Sequence, residues 1–335
     1  MDLKFSVIIP VYNRPVLLRR ALLSCVNQSY KNVEIIVIDD CSAIPVEDIC
    51  KNLGDDRIQC IRNNVNLGFS ESRNLGLALS TGDYLSFLDS DDVLSLDKFS
   101  RVADFIDSSG ADIVINSQYR VLSSLDDFFC VEILPDIQRV KLGNLAENMF
   151  RTGDFIQANS YTVKREIAAS KRFDKRYGIW DDSQYILSCT QVAENIQFLN
   201  EPLSVFFDLA DPTRASQNRS IEQHEDMLKY LSNVSFGRAP IYFRALAVSD
   251  SIFYADPLSA VRFLWSGIRN GVSTERSLFY LFRCIVGFGR AKSISIAIKA
   301  FAQRLRGRGN SEQQTALRDL LMGRSSNNVS GPPAV

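Results

Sequence analysis

The sequence predicts an α/β protein: a mostly parallel sheet flanked by helices, followed by a C-terminal region that is helical throughout. Three observations predict it. Apolar, β-rich runs at residues 5–11, 33–38, 57–61, 84–88 and 112–116 alternate with stretches of helical periodicity, the pattern of βαβ units with right-handed crossovers. The runs at 5–11 and 33–38 lack polar alternation, as strands buried on both faces do. From residue 220 to about 321 the signals are helical, with few turn residues.

Taken in order, Phe5-Ser6-Val7-Ile8-Ile9-Pro10-Val11 is the first strand, and Pro10 is expected to end it because proline donates nothing to a ladder. Tyr12-Asn13-Arg14 is a loop, and Pro15 suits the first turn of a helix whose apolar face is Leu17, Leu18, Ala21, Leu22, Cys25 and Val26. The second strand ends at Asp39-Asp40-Cys41-Ser42, and a short helix follows Pro45. After the third strand, residues 63–68 form a polar loop and 69–79 a helix, with Gly76 as a close-packing point. Gly82-Asp83 is a turn, 84–88 the fourth strand, and a helix is expected over 93–107. Beyond residue 117 the pattern weakens: strands are expected near 126–134, 155–164 and 203–207, and helices near 143–151 and from about 183 to 189. Residues 208–220 are polar, carry Arg214 and Arg219, and read as a loop.

Polar residues fall at one place in this pattern. Tyr12-Asn13-Arg14 follows strand one, Asp39-Asp40 strand two, and Asp89-Ser90-Asp91-Asp92 strand four. In an open α/β sheet ligands sit outside the carboxyl ends of the strands. Three carboxylates within four residues repel one another unless something positive joins them, and a hard divalent cation takes oxygen ligands. The competing reading is that Asp89, Ser90 and Asp92 cap the helix expected next. Three such loops on one sheet edge favour a site.

A net charge of −1 gives no electrostatic case for nucleic acid. The seven cysteines (25, 41, 50, 60, 130, 189, 284) contain no C-x-x-C pair and are expected to be reduced thiols of a cytoplasmic protein. Met1-Asp2-Leu3-Lys4 leads straight into a strand without a charged-then-apolar signal segment, and no apolar run reaches the roughly 20 residues that span a bilayer. Residues 283–308 carry seven Lys and Arg and no acid, as either a solvated basic helix face or a segment lying on the cytoplasmic face of the inner membrane. Residues 323–335 are expected to be a disordered tail.

The blocks Ser6-Val7-Ile8-Ile9-Pro10-Val11-Tyr12-Asn13, Ser24-Cys25-Val26-Asn27-Gln28-Ser29-Tyr30, Glu34-Ile35-Ile36-Val37-Ile38-Asp39-Asp40-Cys41-Ser42, Asn66-Leu67-Gly68-Phe69-Ser70-Glu71-Ser72-Arg73-Asn74-Leu75-Gly76 and Gly82-Asp83-Tyr84-Leu85-Ser86-Phe87-Leu88-Asp89-Ser90-Asp91-Asp92 resemble, in order and spacing, the first 120 or so residues of family 2 glycosyltransferases. The resemblance weakens over 120–210 and is absent after 220. It implies the GT-A fold, with residues 1–118 as the nucleotide-sugar half, 119–219 as the acceptor half and 220–322 as an added helical region. It also implies transfer of a sugar, with inversion, from a nucleotide-sugar (UDP-sugar favoured) to a growing saccharide, as in surface-polysaccharide synthesis, and the basic segment 283–308 suits an acceptor carried on a polyprenyl lipid.

Position by position, the resemblance places Pro10, Tyr12 and Asn13 at the nucleotide, Asp40 at its base with Asp39 beside it, and Arg73 near the nucleotide or its phosphates. Asp89-Ser90-Asp91 corresponds to the D-x-D motif, holding ribose and Mg²⁺ or Mn²⁺, with Asp92 close enough to share the metal. Asp181-Asp182 stands where Glu-Asp is commoner; Asp182 is the favoured catalytic base and Asp181 the alternative. Trp180 reads equally as an acceptor-stacking ring or as core, Arg214 as solvated charge or a diphosphate contact, and His224 as surface or structural. Two other classes compete: a nucleotidyltransferase, which would need a glycine-rich basic loop where Tyr12-Asn13-Arg14-Pro15 stands, and a non-catalytic sugar-nucleotide-binding scaffold.

Overall fold

In chain order the elements are β1 (Phe5–Val11), α1 (Pro15–Val26), β2 (Val33–Asp39), α2 (Glu47–Lys51), β3 (Ile58–Arg62), α3 (Phe69–Leu79), β4 (Tyr84–Phe87), β5 (Val93–Leu94), α4 (Lys98–Ser109), β6 (Ile113–Val121), β7 (Val131–Leu134), α5 (Leu145–Thr152), β8 (Tyr161–Lys164), α6 (Arg165–Ala169), α7 (Asp181–Thr190), β9 (Ile196–Phe207) and α8 (Ile221–Asn233). A computed structural model describes residues 2–122, 131–135, 137, 145–153, 155–208, 220–234, 236–248 and 256–272.

Every residue of β1, β2 and β4 is buried, which explains their unbroken apolar runs. β1 pairs in parallel with β2 and β4, and β2 with β3. The nine strands form one sheet in the order β3-β2-β1-β4-β8-β6-β9-β5, with β7 on β6. β8 runs antiparallel between β4 and β6, and β9 returns parallel to β6. One core lies on each side of the sheet: Ile8, Phe87, Tyr161 and Tyr185 on one, Val7, Ile9, Leu22 and Phe99 on the other. α3 lies close on β1, because a Cβ at Gly76 would stand 2.3 Å from Ile8 Cγ2.

Five expectations change. Pro10 lies inside β1, opposite Ile38. Ile8 faces β4, its carbonyl accepting from Leu88 N, so Pro10 faces the same way, beyond the β4 pairs that stop at Ile8, and its missing N–H costs no ladder bond. The helix expected over 93–107 begins only at Lys98: Val93 and Leu94 instead pair with Val205 and Ser204, a tertiary contact overriding local propensity. The strand expected over 155–164 is a short 3-10 turn (Ala158–Ser160) followed by the four residues of β8. β9 starts well before the expected 203, and β6 runs on to Val121.

After the sheet, α8 opens with a capping box between Ser220 and Gln223. The helix Ala239–Phe243 continues as a π-turn (Arg244–Val248), and a further helix spans Pro257–Arg269. Met227, Leu231, Tyr242 and Phe243 extend the core around Trp180 and Tyr185. Among the described residues no helix is long and apolar enough to cross a membrane. The expected loop with Arg214, the basic segment 283–308 and the tail 323–335 lie outside the described residues.

Candidate active site

Because β1, β2 and β4 are parallel, their carboxyl ends bring Tyr12-Asn13-Arg14, Asp39-Asp40 and Asp89 to Asp92 to one edge. The first two loops lock each other. Asn13 has a positive φ of 54°, its N–H donates to Ser42 Oγ at 3.0 Å and its Oδ1 accepts from Ala43 N at 2.7 Å. Tyr12 is left 47% exposed at the rim. Asp39 is buried, which disfavours its charge, but Ser42 N at 3.0 Å and the Arg62 guanidinium outweigh that and hold its carboxyl below the usual range. Asp40 accepts from Asn63 Nδ2, Leu67 N and Gly68 N, each at 2.8 Å, and so shapes the polar loop leading into α3.

Asp89, Asp91 and Asp92 follow β4, with one carboxylate oxygen of each within 4.8 Å of the others. With the next helix starting at Lys98, they do not cap it. Asp92 is fixed: Oδ2 accepts from Asn159 Nδ2 at 2.9 Å and Oδ1 from Phe207 N at 3.0 Å. Asp91 Oδ2 accepts from Arg14 Nη1 at 2.9 Å, while the Arg20 guanidinium, stacked on the Phe207 ring, binds the Asp91 carbonyl. Ser90 is buried between them. Close carboxylates held by backbone and by cations suit a hard divalent ion, and Asp89 and Asp91 each face an arginine guanidinium.

Arg73 joins this cluster to a second one. Its Nη2 donates to Asp89 Oδ1 at 2.6 Å and its Nη1 to both Asp181 oxygens at 3.1 Å, with Phe69 and Phe173 against the guanidinium. Burial opposes this charge; Asp89 and Asp181 overcome it and leave Arg73 firmly protonated. Asp181 sits in the first turn of α7 and also accepts from Ser70 Oγ at 2.8 Å. Burial pushes the Asp181 carboxyl up, against Arg73 and Ser70. Asp182, part-buried, accepts from Ser183 N at 2.6 Å, and burial first, then the Asp181 charge, push it up to about 7. A carboxylate poised near neutrality beside one held by a guanidinium is how two adjacent acids take different roles.

The residues expected at the site are therefore gathered in one place, with Arg73 between carboxylates. Trp180 is core, ringed by Phe150, Phe155, Phe243 and His224. His224 is buried, and its Nδ1 lies 2.6 Å from the Ser220 carbonyl, a structural role. Sequence reasoning missed Arg20, Ser70 and Asn159, and a fully buried Lys98, whose Nζ donates to the Asn159 carbonyl at 2.7 Å. Burial lowers that ammonium to about 7. Nothing in the local sequence marks these four.

Comparison with known proteins gives the family and the fold. The family model for "Glycosyl transferase family 2" matches residues 6–153. The chain is 30% identical over 213 residues to the amylovoran biosynthesis glycosyltransferase AmsB of Erwinia amylovora, covering 61% of this chain and 69% of that protein. It is 39% identical over 103 residues to the UDP-Glc:alpha-D-GlcNAc-diphosphoundecaprenol beta-1,3-glucosyltransferase WfaP of Escherichia coli, covering 31% of this chain and 41% of that one. Among solved structures, residues 1–349 of S. aureus TarS in complex with UDP-GlcNAc superimpose with a TM-score of 0.60 at 15% identity, covering 97% of this chain and 93% of that one, which establishes the GT-A fold. The carboxylate loops lie within the family match, and the AmsB likeness spans two thirds of that relative, so this chain belongs to glycosyl transferase family 2.

Proposed function

We propose that the protein is a metal-dependent, inverting glycosyltransferase that moves a sugar from a UDP-sugar to a lipid-linked saccharide in surface-polysaccharide assembly. One observation carries the reading: Arg73 ties Asp89 of the carboxylate cluster to Asp181. The place for a leaving diphosphate and the place for an acceptor base thus belong to one rigid frame. The UDP-GlcNAc complex of TarS supports the donor class, and the diphosphoundecaprenol acceptor named for WfaP supports the acceptor class. Such an acceptor would bring the protein to the cytoplasmic face of the membrane. Residues 1–118 then serve the donor and 119–219 the acceptor.

Asp182 is the base. Its carboxylate takes the proton of the acceptor hydroxyl as that oxygen bonds to the anomeric carbon. The bond from that carbon to the diphosphate oxygen breaks, and its electron pair leaves with the nucleoside diphosphate. A single displacement inverts the centre, and a positioned base contributes about 10²–10⁴-fold. Asp181, engaged by Arg73 and Ser70, holds the guanidinium rather than moving the proton. Mg²⁺ or Mn²⁺ between Asp89 and Asp91 would act as a Lewis acid on the diphosphate. Pro10, Tyr12, Asn13, Asp39 and Asp40 shape the nucleotide side, with Ser90 at the ribose.

Calorimetric titration of the full chain with UDP-, GDP- and dTDP-sugars, with and without Mn²⁺, tests this reading. UDP-sugar binding that needs Mn²⁺ and is lost in folded Asp91→Asn is expected. Equal binding without metal, or in that variant, would overturn it.

A further inference from the structure

Both arms of the D-x-D motif carry an arginine: Arg73 on Asp89 at 2.6 Å and Arg14 on Asp91 at 2.9 Å. The two arginines are held differently. Arg73 is buried, belongs to α3, and is fixed by Asp181 and two aromatic rings. Arg14 ends the loop after β1, just before Pro15 starts α1, and its side chain is 18% exposed. Arg20, six positions on and within α1, holds only the backbone of the same turn, through the Asp91 carbonyl.

We propose that Arg14 is a diphosphate-binding residue that rests on Asp91 until a divalent cation enters and then transfers to the donor. The inference rests on the reading of Asp89 and Asp91 as metal ligands. A guanidinium on a carboxylate stands in for part of the charge that a cation would supply. A doubly charged ion at Asp91 would repel Arg14, and a diphosphate carried by that ion would offer the guanidinium a group of opposite sign. The fork of a guanidinium fits diphosphate oxygens as well as it fits a carboxylate. Arg14 therefore competes with the metal alone but cooperates with metal and nucleotide together, which orders binding toward the metal–nucleotide pair.

The two effects have opposite signs, and that makes the test. Mn²⁺ binding to the full chain is followed by loss of the free-ion electron paramagnetic resonance signal, and UDP binding at saturating Mn²⁺ by calorimetry. Arg14→Gln is expected to bind Mn²⁺ alone about 3–10-fold more tightly, since a competing counter-ion is gone. The same variant is expected to bind UDP with Mn²⁺ about 10–100-fold more weakly, the loss of a charge-assisted hydrogen bond. Arg14→Lys keeps the charge but not the fork, so Mn²⁺ affinity stays near wild type while UDP affinity falls; it also serves if Arg14→Gln does not fold. Unchanged or weaker Mn²⁺ binding in folded Arg14→Gln, or unchanged UDP binding in either variant, overturns the proposal and assigns Arg14 a structural role only. Wild-type protein that binds no Mn²⁺, or binds it equally as Asp91→Asn, removes the metal reading and this inference with it.

Discussion

Changing Asp182 to asparagine should slow turnover and stabilise the fold at the same time. The carboxyl is pushed up to about 7 by burial and by the Asp181 charge. An unfolded aspartate titrates at about 3.9. Between about pH 4 and pH 7 the folded chain keeps a proton that the unfolded chain has lost, so stability falls as pH rises through that window. At about 1.4 kcal/mol per unit the penalty by pH 8 is about 4 kcal/mol, trimmed to about 2–4 kcal/mol by the side chain's partial access to water. Asparagine carries no charge at any pH and escapes the penalty. In urea titrations the variant should match wild type below pH 4 and exceed it above pH 7. Its rate of UDP release, with a UDP-sugar and a lipid-diphosphate saccharide, should drop about 10²–10⁴-fold, and the ascending limb of the wild-type pH profile near 7 should vanish. Asp181→Asn should do the reverse to stability: stripping the bidentate partner from buried Arg73 costs about 3–5 kcal/mol. The reasoning is refuted if Asp182→Asn lowers stability at pH 8, or if the limb near 7 persists in it.

The opposite end of the sheet should show acid sensitivity. Glu34 accepts from Ser6 Oγ at 2.5 Å, Thr81 N and Oγ1 at 2.6 Å and Lys4 Nζ at 2.7 Å. Burial opposes its charge, yet these partners bring it down to about 2. Its contribution is present above the unfolded value of about 4.3 and is lost as pH falls toward 2. Glu34→Gln should therefore be less stable than wild type at pH 6, with the gap closing by pH 2–3; a constant gap in urea midpoints would rule this out. Gly76→Ala places a Cβ 2.3 Å from Ile8 Cγ2 and should cost about 1–3 kcal/mol. Combined with Ile8→Ala the loss should be less than additive; strict additivity in thermal denaturation would mean that the contact relaxes freely.

How much of this was legible in the chain follows from what each element answers to. Strands β1, β2 and β4 are buried on both faces, so composition alone marks them. Helix α3 was readable to its ends because its pattern and its glycine answer to one neighbour, β1. Val93 and Leu94 were misread because their partners, Val205 and Ser204, lie more than a hundred residues on. The site divides in the same way. Carboxylates in tight succession announce themselves, and the family resemblance supplied Asp181 and Asp182. That Arg73 would bind both Asp89 and Asp181 needed the folded chain, as did Asn159 on Asp92. Lys98 falls inside the helix expected over 93–107, and only the folded chain, where its Nζ meets Asn116 Oδ1 and the Asn159 carbonyl, shows it to be interior.

The bond from Phe207 N to Asp92 Oδ1 joins residues 115 apart in sequence. Those from Arg73 to Asp181 span 108. On a ribosome adding about 5–20 residues each second, the loops after β1 and β2 are complete many seconds before these partners emerge. A nascent chain that stops short of β9 holds the Asp39 and Asp40 loops and Asn159 but lacks the Phe207 N–H that fixes the other oxygen of Asp92. Such long-range closure is slow, because its loop entropy is met only when the last strand docks. On the proposed function, a metal–donor pair would bind the finished chain in preference to any fragment and so draw late folding toward completion.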